Sequence, residues 1–212
     1  MSNSVSRQVT NGVPEPVAPI AELMSTFRAP WALCGGWAVD AWVGHQTREH
    51  PDVDISAFIQ DQQAVFDHMA GWQLFAHVSG DTHAPWDGRR LDLPNHIMGR
   101  IDTGEVLPEG VDTTAEQGFI LDIQLSDLSG EEWVLSDEPR VSLALSNAVR
   151  QSPWGIPAVV PEVLLFFKAL ELRRRDKWDF RALLPSLTRA QREWLREAIA
   201  AVGHPWVAEL AP

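Results

Sequence analysis

From residue 52 to residue 57 the side chains alternate, with Asp52, Asp54 and Ser56 set against Val53, Ile55 and Ala57. Successive side chains of a strand point to opposite faces. The period of two therefore predicts a strand with one buried face and one polar face, and both carboxylates fall on the polar side. Residues 119–125, Phe-Ile-Leu-Asp-Ile-Gln-Leu, repeat the pattern, so that Asp122 and Gln124 oppose Leu121, Ile123 and Leu125. A strand with one apolar face needs a sheet around it and a core beside it.

The rest of the chain supplies both. Ile20, Leu23, Met24 and Phe27 recur at helical spacing before Pro30, and residues 31–34 form a short apolar strand running into Gly35-Gly36. Residues 37–43 read as a helix stopped by Gly44, and Asp61 is placed to cap a helix that reaches Ala70 before Gly71. Residues 72–78 and 96–101 are further strands. Between them, residues 79–95 hold Gly, Asp, Pro and Asn and read as an exposed loop. Residues 132–135 are set to pair with the strand at 119–125 as a hairpin. After Pro161 the spacing turns helical over 164–172, 176–184 and 190–202. The expected organisation is a disordered tail at 1–16, a mixed α/β core at 17–150 and a helical C-terminal subdomain at 151–212.

Charge narrows the partners. With 17 basic against 29 acidic residues the net charge is −12, whereas long nucleic acids are held largely by Lys and Arg neutralising phosphates. The balance argues against such a partner and suits a small, cationic ligand, although an acidic surface serves solubility equally well. Cys34 is the single cysteine, so no internal disulfide forms. The first residues are polar and lack the apolar stretch of a secretory signal. The longest apolar run, 158–167, is interrupted by Pro161 and Glu162 and is too short to span a bilayer. A cytoplasmic protein without membrane contact is expected.

Two carboxylates on one strand face can share a hard cation, and Mg²⁺ takes such oxygen ligands together with waters and substrate phosphates. A third carboxylate on a neighbouring strand, for which Asp122 is the candidate, makes a second cation site possible. On its own, an Asp-x-Asp pair reads first as the solvated face of an edge strand. The segment upstream changes that reading. Gly35-Gly36 lies where a strand turns into a helix, and bare backbone there can approach phosphate closely. Strand, Gly-Gly, helix and Asp-x-Asp strand follow one another in the order a polyphosphate–metal site needs.

The stretch CGGWAVDAWVGHQTREHPDVDISAF, residues 34–58, resembles the aminoglycoside and lincosamide nucleotidyltransferases of the DNA polymerase β-like superfamily. Those enzymes carry Gly-Gly-Trp-(Ala/Gly)-x-Asp, then Gly-x-x-Thr-Arg-x-His, then Asp-x-Asp. Here the matching residues are Gly35, Gly36, Trp37, Ala38, Asp40, Gly44, Thr47, Arg48, His50, Asp52 and Asp54. Similarity to other members of the group continues through PNHIMGR, LDIQL, GIPAVVPEVLLFFKA and DKWDFRALLP, and so covers most of residues 30–187.

The resemblance implies an α+β fold: a polymerase β-like nucleotidyltransferase core with a mixed sheet and a C-terminal helical subdomain. It also implies transfer of a nucleoside monophosphate, usually AMP from ATP, to a hydroxyl of a small molecule, with Mg²⁺ as cofactor. Asp52 and Asp54 would hold the metals, Asp122 would complete the site as ligand or general base, and Gly35 and Gly36 would hold the triphosphate. Arg48 is placed to orient triphosphate or carboxylates, and His50 reads first as structural. Lys168 is either a point charge on a phosphate or a lysine snorkelling along its helix. Asp40 is expected to pair with Arg48, and Asp176 and Asp179 to cap or brace a helix.

Other constellations carry less. His77 and His83, near Asp81 and Asp87, match no closed zinc site and read as solvated loop residues. Trp86 and Trp154 are candidate walls for a sugar or base. Glu105, Glu109, Asp112 and Glu116 form an acidic run suited to ammonium groups if it borders the cleft. Two rival readings stay open: a toxin-like nucleotidyltransferase that modifies transfer RNA or protein, and a non-catalytic nucleotide-binding protein of the same fold.

Overall fold

The computed structural model describes residues 12–79, 82–107, 113–114, 117–137, 140–171 and 173–210. Helix α1 (Ala18–Met24) buries Ile20 and Met24, the residues whose spacing predicts it. Strand β1 (Ala32–Leu33), buried at both positions, leads into α2 (Gly35–Val43). This helix opens at Gly35 itself, two residues before the expected start. It closes at Gly44, whose left-handed φ of 90° lets its N–H bond back to the Asp40 carbonyl. Strand β2 (Val53–Phe58) follows, then α3 (Gln62–His68), β3 (Trp72–Ser79), β4 (Thr82–Pro85) and β5 (Asn95–Ile101). The chain continues with β6 (Leu121–Ser129), β7 (Glu132–Asp137), β8 (Arg140–Ala144), the short α4 (Leu145–Ala148), β9 (Val149–Gln151) and β10 (Pro157–Val159). It finishes with α5 (Pro161–Glu171), α6 (Arg174–Leu183) and α7 (Arg189–Ala201).

Two local expectations are corrected. Asp61 stands at the N-cap of α3, yet its side chain makes no capping bond. A capping residue needs extended backbone, and Asp61, at φ −97° and ψ 5°, ends a 3₁₀ turn instead. Residues 79–95 are not simply an exposed loop. They include β4, paired antiparallel with β3, and they bury His83, Trp86 and Leu91. The turn-forming residues are there, but Trp86 packs edge-on against Phe66 at 5.2 Å. Gln62 further ties down Leu91 by accepting its N–H and donating to its carbonyl.

The strands form one mixed sheet in the order β4-β3-β5-β6-β2-β1-β10-β9, and β7 and β8 extend it from the far end of β6. The β2–β6 and β1–β10 pairs are parallel and the others antiparallel. The expected hairpin of residues 132–135 with the strand before it is the β6–β7 pair. Through β9 and β10, which straddle the expected boundary at residue 150, the chain stays in the sheet to Val159 before turning helical. A single apolar cluster joins sheet and helices: Phe167 of α5 meets Trp133 of β7, and Phe166 meets Trp194 of α7. Phe58, Phe166 and Phe180 are each 1% exposed or less, and complete burial of a phenyl side chain contributes about 1.5–3 kcal/mol. Among the described residues no helix is long and apolar enough to cross a membrane.

Candidate active site

β2 and β6 run side by side in parallel with Asp54 opposite Asp122. Alternation carries Asp52, one residue ahead of β2, to the same face. Oxygens of Asp52, Asp54 and Asp122 lie within 4.8 Å of one another. β2 is an interior strand between β6 and β1, so the pair is not the solvated face of a sheet edge.

Three carboxylates this close oppose one another's ionisation. Burial pushes Asp54 up to about 7, with the charges of Asp122 and then Asp52 adding to it. Asp52 is raised by burial and then by Asp122. One oxygen of Asp122, Oδ2, accepts the Gln124 amide at 2.7 Å. The other, Oδ1, is buried with no hydrogen-bond partner. An all-oxygen donor set with an unsatisfied buried acceptor, on two adjacent strands, fits a hard divalent cation such as Mg²⁺.

The glycines fit by absence. A Cβ on Gly35, whose φ is +60°, would overlap the Asp54 carboxylate, and one on Gly36 would overlap the His50 imidazole. The Cys34 N–H also bonds the Asp54 carbonyl at 2.9 Å, which holds this backbone against β2. Burial, followed by the Asp54 charge, raises the Cys34 thiol well above its ordinary value.

The remaining motif residues brace this arrangement. Asp40 does not pair with Arg48 as expected, because its oxygens are already filled. Oδ1 accepts the Thr47 N–H at 2.9 Å and its hydroxyl at 2.5 Å, while Oδ2 meets His50 Nε2 at 2.5 Å. Arg48 turns instead to Asp179 of α6, with Nε to Oδ1 and Nη2 to Oδ2 both at 3.0 Å. Lys168 Nζ lies 2.5 Å from Asp179 Oδ2 and 3.6 Å from Asp176 Oδ1, so it is drawn inward rather than snorkelling. Burial would raise Asp179, but the Arg48 hydrogen bonds and the Lys168 charge outweigh it and hold the carboxyl below its ordinary range. Asp176 caps α6, accepting the Arg173 N–H at 2.8 Å.

All seven expected site residues, Gly35, Gly36, Arg48, Asp52, Asp54, Asp122 and Lys168, line one cleft of about 540 Å³ between the strand ends and helices α5 and α6. Sequence reasoning missed four of its other walls: His96, Glu171, Arg173 and Arg175. His96 Nδ1 lies 3.6 Å from Asp122 Oδ1, and that contact raises its pKa against the lowering effect of burial. Arg173 is bound to Glu171 and Asp176. Arg175 is exposed and makes no ion pair among the described residues, yet its charge reaches Asp52 and Asp54. The run Arg173-Arg174-Arg175 is the signal that pointed there.

Other expectations fail. Trp86 is core, its indole N–H donating to the Arg89 carbonyl at 2.7 Å, and Trp154 packs near Trp37. Neither lines the cleft, because both fill apolar gaps instead. His83 is no solvated loop residue: it is buried on β4 and stacks on His96 at 4.9 Å. His77 lies on β3 with its ring 5.5 Å from that of His96. Glu105 pairs with Arg100 outside the cleft. Asp81, Glu109, Asp112 and Glu116 lie outside the described residues.

A family model described as aminoglycoside-2''-adenylyltransferase matches residues 17–84, a span that contains the whole motif stretch 34–58. A lincosamide resistance protein of Staphylococcus haemolyticus is 31% identical over 85 residues, which is 39% of this chain and 48% of that protein. The match thus spans about half the length of that relative. Among solved structures, the lincosamide adenylyltransferase LnuA bound to lincomycin aligns with a TM-score of 0.52 and 22% identity, over 81% of this chain and 96% of the other. ANT(2'')-Ia aligns in its solution structure with a TM-score of 0.55 and 15% identity, over 88% and 90% of the two chains. In complex with adenylyl-2''-tobramycin it aligns at 0.53 and 14%, over 87% and 95%. The α+β fold is that of these antibiotic nucleotidyltransferases.

Proposed function

We propose that this chain, which resembles the aminoglycoside and lincosamide nucleotidyltransferases in sequence motif and fold, is a Mg²⁺-dependent adenylyltransferase. It transfers AMP from ATP to a hydroxyl of a small molecule, an antibiotic of the aminoglycoside or lincosamide type, in the cytoplasm. Substrates would meet in the cleft between the nucleotidyltransferase core, 17–150, and the helical part, 151–212. The observation that carries this reading is the cluster of Asp52, Asp54 and Asp122, set in register on two parallel strands with one buried oxygen unpartnered.

Mg²⁺ held by these three residues would neutralise the triphosphate and the charge that develops on its leaving group. The chain's own residues do the rest. Gly35 and Gly36 leave backbone bare where the phosphates approach. Lys168 and Arg175 add positive charge on the opposite wall. Arg48, bound to Asp179 and to the Glu49 carbonyl, anchors α6 and keeps two N–H groups for a phosphate in the cleft it lines. The acceptor oxygen attacks the α-phosphorus in line. Its new P–O bond forms as the bond to the bridging oxygen breaks, pyrophosphate leaves with that electron pair, and the hydroxyl proton passes to Asp122. Catalysis is then mostly positioning and charge stabilisation.

An antibiotic acceptor is supported by the described activities of the similar proteins. The net charge of −12 suits a cationic one. Incubation with labelled nucleoside triphosphates, Mg²⁺ and a panel of aminoglycosides and lincosamides tests the reading. The expected result is pyrophosphate release with a nucleotidylated antibiotic, and raised resistance in a susceptible host. Label on transfer RNA, with no antibiotic adduct, would favour the toxin-like alternative.

A further inference from the structure

On the polar face of the sheet a second row of side chains runs beside the carboxylates. Asp54 of β2 stands opposite Asp122 of β6. Two residues on, in the same register, Ser56 stands opposite Gln124, with His96 of β5 on the other flank of Gln124. Ser56 is buried, Gln124 and His96 are half-buried, and all three line the cleft.

Alternate residues of a strand lie about 6.5 Å apart, too far for short side chains on one face to meet. Gln124 spans that gap. Its two methylene groups carry the amide back along β6, and Nε2 donates to Asp122 Oδ2 at 2.7 Å. The amide orientation follows from the chemistry, because an ionised carboxylate only accepts and the nitrogen must face it. Among the described residues this is the one hydrogen bond that the Asp122 carboxylate receives. Oδ1 is buried without a partner, and His96 Nδ1 stays 3.6 Å from it, outside hydrogen-bond range.

We propose that Gln124 is a positioning residue: by engaging Oδ2 it fixes the Asp122 carboxylate and leaves Oδ1 bare as a cation ligand. The last torsion of an aspartate side chain is broad and roughly two-fold. Asp122 alone therefore does not settle which oxygen is offered, and the amide does. Groups that hold a ligating carboxylate from behind typically change metal affinity or activity by about 10- to 100-fold when removed. The inference rests on the reading of Asp122 as a metal ligand given above.

Mn²⁺ titration of the nucleotide-free full chain, followed by electron paramagnetic resonance, tests it. Gln124→Met keeps the length of the side chain but donates nothing. Gln124→Asn keeps the amide but is shorter by one C–C bond, about 1.5 Å, and falls short of Oδ2. Both variants should keep the wild-type circular dichroism spectrum and bind Mn²⁺ at least about tenfold more weakly. In turnover, the half-saturating Mg²⁺ concentration should rise by a similar factor, while the KM for ATP at saturating Mg²⁺ stays within about twofold of wild type. A folded variant of either kind that binds Mn²⁺ within about twofold of wild type overturns the proposal. So does a wild type that binds no Mn²⁺. A raised KM for ATP with Mn²⁺ affinity intact also overturns it, and makes Gln124 a substrate contact. If no nucleotidyl transfer is found on any acceptor, the function proposed above fails, while the Mn²⁺ titrations still decide this inference.

Discussion

Arg48 and Asp179, 131 positions apart in the chain, meet in a two-point contact with both distances at 3.0 Å. The contact fastens the segment that leads into β2 to α6, and Lys168 leans on the same carboxylate from α5. One buried acid thus balances two cations drawn from elements far apart in sequence.

Removing that acid leaves the largely buried Arg48 without a carboxylate partner and Lys168 with only Asp176 at 3.6 Å. Breaking a buried ion pair from one side costs about 3–5 kcal/mol, so Asp179→Ala should lower stability by about that much in denaturant unfolding. The pH dependence has a definite sign. Because the folded carboxyl is held below its ordinary range, its stabilisation is present above the unfolded pKa of about 3.9 and is lost as pH falls through the folded value. Wild type should therefore lose stability on acidification faster than Asp179→Ala. Parallel acid limbs for the two proteins would refute the assignment.

Asp54 gives the opposite slope in metal-free protein. Its folded pKa is raised to about 7, so the contribution is stabilising below the unfolded value and is lost as pH rises through about 7. Without divalent metal, the melting temperature should rise between about pH 8 and about pH 6, and saturating Mg²⁺ should flatten that rise. Asp54→Asn should remove the slope, keep the fold and reduce nucleotidyl transfer to a small fraction. An Asn variant with near wild-type turnover excludes Asp54 as a metal ligand.

Gly36→Ala sets a methyl group into the His50 ring. Overpacking of this kind costs about 1–3 kcal/mol, and here the strain falls on the residue bonded to Asp40. The variant should melt lower and lose turnover together.

Arg175 is the cleft cation with no partner among the described residues, so it should be free to answer the charge of the triphosphate. Arg175→Ala should raise the KM for ATP about tenfold, the equivalent of one charge-assisted hydrogen bond of about 1.5 kcal/mol. Arg175→Lys should recover part of it as a point charge. A change confined to the KM of the acceptor would move Arg175 to the other side of the reaction.

The carboxylates were legible in the sequence because alternation is a local signal. Asp52, Asp54 and Asp122 each announce their face within a few residues of chain, and Gly35-Gly36 announces its turn in the same way. Asp179 was not legible as the counter-ion of Arg48, nor was His83 as the partner of His96. Those pairings depend on how α6 docks and on how β3, β4 and β5 align, and no short window encodes either. Trp86 misled for a related reason: its proline and glycine neighbours mark a turn correctly but say nothing of the Phe66 ring that covers it.

Asp54 opposite Asp122 is also a statement about which changes of length the fold can absorb. A slip of one residue in either strand turns its carboxylate to the far side of the sheet. Lengthening the connection between them, by contrast, adds only a logarithmic closure cost. An insertion scan should therefore find long additions between residues 102 and 118 compatible with activity. One residue added within Val53–Phe58, or in the part of β6 that pairs with it, should abolish activity even where the protein still folds.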